Sequence, residues 1–328
     1  MKSWLKARAP AALWSILRHA RHTTLFRLRW CLEMFGMLVS QKDYYSPLPS
    51  ELTLRRTRNR WTRPSALQGV RYDLSAMEAR FSELCEGYLA EFASLPTYDA
   101  LWQKGFGPGF PLVDAFTLYS MVRSTKPARY LEVGSGLSTY YCQLAGERNV
   151  REGCPVEITC IEPNPYQALK QLPGLRVIQS EVQDVSADIF RFLQAGDILF
   201  IDSSHILRIG SDVPFLYLEI LPILASGVYV HVRDVPFPYN VPYPPEYWTL
   251  LEHPDSPHWP MYWNEAMFVQ AFLAFNDHFE ILHSVPLLRH YDEPFLSSRL
   301  PFYQPISVQP NTFSSLWLRR TSRPESPH

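Results

Sequence analysis

The sequence predicts an α/β fold organised on a largely parallel sheet, and two observations carry that prediction. From residue 129 onward, short and nearly continuous apolar runs alternate with segments of helical periodicity, the pattern of a sheet covered on both faces. The first of those runs, "RYLEVG" (129–134), enters a Gly-x-Gly turn and then a helix, which lets the backbone approach a ligand at the carboxyl edge of a strand.

Taken in order, residues 1–65 read as a basic helix followed by an Arg-rich connector, "LRRTRNRWTRP". Residues 66–105 form a helical cap segment, in which Leu74, Met77, Phe81, Leu84, Tyr88 and Phe92 recur at helical spacing and define one buried face. Residues 106–322 form the main domain, and 323–328 a tail. Within the domain a Gly/Pro loop precedes the helical "AFTLYSMVRS". Strands follow at 129–134, 157–163, 175–181, 197–202, 227–234, 279–285 and 314–320, with helices at 137–146, 165–171, 212–224 and 263–275. No helix is evident between the last two strands, so they are expected to form an antiparallel edge pair.

At 328 residues and 46% hydrophobic the chain can bury a sizeable core. Many of its 29 prolines crowd between Pro236 and Pro260, the mark of a shaped loop. The five cysteines contain no CxxC pair, which argues for a reducing compartment and against a disulfide framework or zinc knuckle. The net charge of −1 hides an asymmetry: residues 1–63 carry 13 Lys/Arg against 3 Asp/Glu, and the remainder 18 against 29. Three readings fit the basic segment: a helix on a membrane surface, a transit-type peptide, or a solvated helix packed on the domain. No apolar run reaches the ~18 residues of a spanning helix. A cytoplasmic protein, peripheral to a membrane if residues 1–63 make that contact, is the expectation.

The third glycine of the dinucleotide fingerprint is missing from "LEVGSGLST", where Thr139 stands in its place, and this weakens a nicotinamide reading. Ser138 is a reasonable helix N-cap. The second strand ends at Glu162, well placed to accept hydrogen bonds from a ribose diol. The third leads to "SEVQDV", where a polar side chain could meet an adenine edge. A Gly turn, a ribose carboxylate and an adenine-edge loop describe a site for an adenosine without phosphates, which fits S-adenosylmethionine better than a dinucleotide.

Residues 106–320 resemble the class I S-adenosylmethionine-dependent methyltransferases, and within them the group that carries "FIDSSH" after the fourth strand and "VHVRD" on the fifth. "VDAFTLYSMV", "LEVGSGLST", "SEVQDV", "DILFIDSSHILRIGSD", "GVYVHVRDV" and "WNEAMFVQAFLAFND" stand in the expected order. The resemblance implies a Rossmann-like seven-stranded sheet, mostly parallel with its last strand antiparallel, and the methyl donor at the switch point. By position, Glu132, Gly134, Ser135 and Gly136 would line the methionine and ribose side, Glu162 would hold the ribose, and Val182, Gln183 and Asp184 would lie near the adenine. Glu132 could instead be a strand carboxylate paired with an arginine, and Asp184 could cap the helix that follows.

Methyl transfer from a sulfonium needs in-line positioning and a nucleophile that has lost its proton. A general base or a hard divalent cation can meet the second need. Asp202 and Asp234 end the fourth and fifth strands at the edge where donor and acceptor should meet. They resemble the positions that hold magnesium in catechol-type and sugar O-methyltransferases, although Val235 stands where the catechol-type pattern has Asn. His205 could complete a metal site with them, act as base, or only bond its loop. His231 falls on the opposite face from Asp234 and reads as buried. Tyr239, Tyr243, Trp248, Trp259 and Trp263 would form a lid over the acceptor, and Glu265 favours the dipole of its helix.

The expected activity is methylation of a hydroxyl on a small molecule or saccharide. An iron-dependent hydroxylase on the same scaffold, or a non-catalytic adenosine-binding or membrane-docking module, are the alternatives. The acidic domain would repel phosphate and holds no Asn/Asp-Pro-Pro-aromatic tetrapeptide, which argues against a nucleic-acid methyltransferase, and no nucleic-acid partner is expected.

Overall fold

Seven apolar runs pair into one sheet: β1 (Arg129–Val133), β2 (Glu157–Ile161), β3 (Leu175–Ile178), β4 (Ile198–Ile201), β5 (Tyr229–Val232), β6 (Phe279–Ser284) and β7 (Leu316–Arg320). In this computed structural model, which describes residues 15, 20, 23–24, 27–38, 43–106, 109–250, 259–305 and 313–322, the strand order is β3-β2-β1-β4-β5-β7-β6. The first five strands run parallel, and β7 is antiparallel to both β5 and β6. This is the Rossmann-like sheet expected from the sequence. β1 is the third strand, with β2 on one side and the central β4 on the other, so the strand order reverses at β1/β4 and opens a crevice at their carboxyl ends.

β1 and β4 are buried along nearly their whole length because helices cover both faces. The helices that matter here are α1 (Leu74–Ala93), α2 (Leu112–Thr125), α3 (Leu137–Arg151), α4 (Asp212–Phe215), α5 (Glu265–Leu273) and α6 (Val285–Arg299). α1 starts at Asp73, whose carboxylate accepts the Ala76 amide at 3.0 Å, and buries Met77, Phe81, Leu84 and Phe92, the face read from the sequence. It packs on α2, α6 and β6. α2 is buried from Val113 to Arg123. Its Asp114 accepts the Ser314 and Ser315 amides and the Ser315 hydroxyl, which fixes the chain entering β7. In the core, His231 stacks on Trp317 with ring centroids 4.2 Å apart and bonds the Ser315 hydroxyl at 2.8 Å.

Three expectations for the helices change. The helix expected at 165–171 is only a 3-10 turn, Leu169–Gln171. Pro165 and Pro173 bracket too little chain for a full helix. Conversely, α6 does lie between β6 and β7. Ser284 caps it, Pro286 sits in its first turn, and it kinks at Asp292 just before Pro294. The segment after α4 continues as a π-helical turn, Leu216–Ile220, and a 3-10 turn, Leu221–Ile223, in place of one regular helix.

The chain divides into two compact units, residues 1–56 and 57–328. In the first, residues 27–33 are helical, and a short helix, Glu51–Arg56, carries an internal Glu51–Arg55 ion pair of 2.9 Å. Residues 1–14, most of the basic helix expected there, the 251–258 portion of the lid loop and the 323–328 tail lie outside the described residues. Among the described residues no helix is long and apolar enough to cross a membrane.

Candidate active site

At the exit of β1 the turn needs a residue without a side chain. Gly134 has φ +86°, and a Cβ there would meet the Asp202 carbonyl oxygen at 2.6 Å, because β4 ends directly alongside. The turn is held from both neighbours: the Gly134 amide donates to Ile161 O at 3.0 Å and the Asp202 amide to Val133 O at 2.9 Å. α3 then begins at Gly136, whose amide donates to Thr139 Oγ1 at 3.1 Å.

Glu132 does not line this crevice, contrary to expectation. Its side chain turns inward beneath the turn and is fully buried, where the Ser138 and Thr139 hydroxyls and the Cys160 thiol donate to it. Burial pushes its carboxyl up to about 8 against those hydrogen bonds, so near neutrality it holds a proton. It braces the N-terminal turn of α3 against β1 and β2.

The crevice itself is a cavity of about 350 Å³ lined by Gly134, Glu162, Val182, Gln183 and Asp202, among others. Glu162 is half-buried, and its Oε1 accepts the Asn164 amide at 2.7 Å. Ser135 Oγ is buried without a hydrogen-bond partner among the described residues. Asp184 is exposed and lies outside the lining; the next helix, Asp188–Arg191, is met by Ser186, so neither reading of Asp184 fits. Glu181, one residue before the expected trio, does line the cavity and bonds the Gln183 amide group.

A second cavity, about 230 Å³, opens past β5. Tyr243, Trp248, Met261, Trp263 and Phe313 form its apolar wall, and His205, Arg233, Asp234 and Ser314 its polar end. The lid aromatics named from sequence are divided. Tyr243, Trp248 and Trp263 line the cavity, Tyr239 packs behind Tyr243 at 4.3 Å between centroids, and Trp259 is exposed. The buried Arg289 guanidinium lies 4.4 Å from the Tyr243 ring and 4.8 Å from Phe313, fixing both.

One cluster contributes to both cavities. Asp202, His205 and Asp234 place a potential ligand atom each within 4.8 Å of one another. His205 Nε2 is 3.3 Å from Asp202 Oδ1 and 3.2 Å from Asp234 Oδ2, and its Nδ1 is 2.8 Å from Glu265 Oε2. Burial alone would push the imidazole down, but the carboxylates of Asp234, Asp202 and Glu265 outweigh it and hold His205 up at about 10. Near neutrality His205 is therefore a donor on both nitrogens, not a base. His205 and Asp234 each have φ +59°, a conformation that residues with a side chain keep only where the surroundings impose it. For His205 the surroundings are visible: its carbonyl oxygen accepts the amides of Asn264 and Glu265 at 3.0 and 3.2 Å, tying the loop to the start of α5. Glu265, read from sequence as a helix-dipole residue, is a fully buried partner of His205, Ser203 and Tyr217.

Arg233 was not singled out from sequence. Its guanidinium reaches into the cluster, with Nη1 3.0 Å from Asp202 Oδ2 and 3.1 Å from Asp234 Oδ2, while Nη2 donates to the Gly109 carbonyl. Burial opposes the charge, yet the carboxylates of Asp202, Asp234 and Asp114 keep Arg233 firmly protonated. In turn Arg233 and His205, working against burial, hold Asp202 well below the usual carboxylate range. The one available signal in the sequence was a basic residue directly before the strand-end Asp in "VHVRDV".

A family model described as a methyltransferase domain matches residues 131–235, from within β1 to just past Asp234. The chain carries a methyltransferase domain. An uncharacterized protein of Archaeoglobus fulgidus is 24% identical over 192 residues, which is 55% of this chain and 85% of that protein. Among solved structures, the SAH-bound methyltransferase PaMTH1 of Podospora anserina is 15% identical, with 86% of this chain and 100% of that chain covered and a TM-score of 0.37. A putative methyltransferase from Thermobifida fusca YX is 14% identical, with 80% and 96% covered and a TM-score of 0.35.

A class I methyltransferase domain uses S-adenosylmethionine as its donor, and the first cavity fits that group. Gly134 leaves room for close backbone approach, Ser135 Oγ awaits a partner, and Glu162 stands at the β2 end. A hard divalent cation fits less well. Among the described residues one cluster offers it two carboxylates and one imidazole whose nitrogens both face carboxylates, and no Asn follows Asp234. Arg233 Nη1 already bridges the two aspartates. The residues present do not fit a magnesium site.

Proposed function

We propose that this methyltransferase domain transfers a methyl group from S-adenosylmethionine to a hydroxyl on a small molecule with a ring body, aromatic or sugar. The observation that carries this reading is the shared cluster: Asp202 lines the donor crevice, while His205, 3.3 Å from Asp202 and 3.2 Å from Asp234, lines the aromatic-walled cavity together with Asp234. A hydroxyl seated at the polar end of that cavity therefore points toward the donor crevice, the positioning that methyl transfer requires.

Bound S-adenosylmethionine would supply an electrophilic methyl on a sulfonium. The chain's residues do the rest. Tyr243, Trp248 and Trp263 present flat apolar faces to the acceptor ring. Asp234 accepts the hydroxyl proton as the acceptor oxygen bonds the methyl carbon; the carbon–sulfur bond breaks and its electron pair stays on sulfur. His205, pinned by Glu265, keeps Asp234 and Asp202 oriented. Calorimetric titration with S-adenosylmethionine and S-adenosylhomocysteine tests the donor half: both should bind in the micromolar range. Glu162→Ala should weaken binding by about 1–3 kcal/mol, the scale for losing hydrogen bonds to a charged group. Asp234→Asn should retain donor affinity and lose turnover. Absence of binding by the unaltered chain overturns the reading.

A second surface supports a membrane contact through residues 1–63. In the described part of the basic unit, Leu28, Trp30, Met34, Phe35, Met37 and Leu38 are exposed beside Arg27 and Arg29, the pairing of apolar and cationic groups that suits an anionic bilayer surface.

A further inference from the structure

We propose that Arg233 is the resident cation of this active site and that methyl transfer here runs without a metal ion; this rests on the hydroxyl-methylation reading above. Three features of its placement argue for it. Arg233 Nη1 spans both strand-end carboxylates, at 3.0 and 3.1 Å, which is the ground a bridging metal would occupy at oxygen distances of about 2.0–2.6 Å. The side chain is locked in place: only 13% exposed, it donates through Nη2 to the Gly109 carbonyl and lies with its guanidinium 5.6 Å from the Phe110 ring. And Arg233 lines the acceptor cavity beside Asp234, so an acceptor hydroxyl at that end meets a fixed positive charge and a carboxylate together.

That juxtaposition reproduces what a bound cation contributes to hydroxyl methylation. The guanidinium favours the oxygen as it gives up its proton to the Asp234 carboxylate, and the oxygen then bonds the methyl carbon as the carbon–sulfur bond breaks toward sulfur. Arg233 keeps its own proton throughout. Being covalently part of β5's carboxyl end, this cation cannot be chelated away or exchanged.

The test uses manganese(II) alone, followed by the electron paramagnetic resonance signal of the free ion, on the full chain and on Arg233→Asn, with S-adenosylhomocysteine calorimetry on both. The unaltered chain should bind manganese no more tightly than millimolar, and its S-adenosylhomocysteine affinity should not change with EDTA. Arg233→Asn removes the guanidinium that spans the aspartates and leaves their facing oxygens to a cation. It should acquire a manganese site at least about tenfold tighter, lost again in Arg233→Asn combined with Asp202→Asn. Stoichiometric micromolar manganese binding by the unaltered chain would overturn the proposal. So would an Arg233→Asn chain that keeps its circular dichroism and S-adenosylhomocysteine binding yet takes up no more manganese than the unaltered one. Failure of the methyltransferase reading would show separately, as absent S-adenosylhomocysteine binding whatever the metal result.

Discussion

Glu132 meets two hydroxyls and a thiol at the sheet's centre, none of them charged, and its acid keeps a proton up to about 8 where an unfolded glutamate releases it near 4.5. The folded chain binds this proton more tightly than the unfolded chain. Its contribution to stability is therefore full below about 4.5 and is lost as pH rises through about 8. Glu132→Gln removes the titration and keeps the side chain's length. Urea unfolding at intervals across that window should show the unaltered chain losing ground to the variant by up to about 1.4 kcal/mol per pH unit. A difference independent of pH would mean that Glu132 is ionised in the fold. The same residue shows what sequence does and does not disclose at this scale. A carboxylate on the Gly-turn strand was visible, but whether it faced the crevice or the core depended on the strand's packing. Asp202 and Asp234 were legible because a strand's end fixes where its next residues go. The roles of Arg233 and Glu265 were not, since Asp202, which Arg233 bridges to its neighbour Asp234, and His205, which Glu265 holds, lie 31 and 60 residues away from them.

Between elements, one buried arginine joins three helices. Arg123 of α2 donates to Glu91 of α1 at 2.6 Å, to Asn149 of α3, and to Glu152 just beyond α3 at 2.5 Å, while Asn149 returns a hydrogen bond to the Val122 carbonyl at 2.9 Å. Arg123→Met leaves Glu91 and Asn149 without their cation in a site closed to most water, and should lower unfolding stability by about 3 kcal/mol, read from the urea midpoint. Lys126→Ala removes only the outer, solvent-facing partner of Glu152 and should leave the midpoint where it was. Equal effects would show that the tie is electrostatic at the surface and not a buried junction. Fold legibility follows the same division. All seven strands could be read because each is an apolar run whose environment is the sheet itself. α6 could not: Pro286, Pro294 and the break at Asp292 erase the helical period, and only Ser284's cap and packing on α1 restore the helix. The reverse error at 165–171 came from a helical composition in a segment too short to form one.

Over the whole molecule, charge is segregated: the chain up to residue 63 has a formal excess of about ten positive charges, and the rest a similar negative excess. A uniformly solvated surface does not require this. An anionic bilayer would attract juxtaposed Lys/Arg by about 1 kcal/mol each near its surface, while Trp30, Phe35 and Leu38, already exposed, would contribute by burial. The electrostatic part must fade with salt, because the Debye length falls from about 10 Å at 0.1 M to about 3 Å at 1 M. Full-length protein should therefore sediment with phosphatidylserine-containing vesicles at low salt, remain free with pure phosphatidylcholine, and be largely released at high salt. Trp30→Asp with Phe35→Asp should weaken vesicle binding at low salt without moving S-adenosylhomocysteine affinity, since these exposed side chains lie outside the residues lining the donor crevice. Equal sedimentation with neutral vesicles, or none with anionic ones at low salt, would assign the basic segment to some role other than the bilayer.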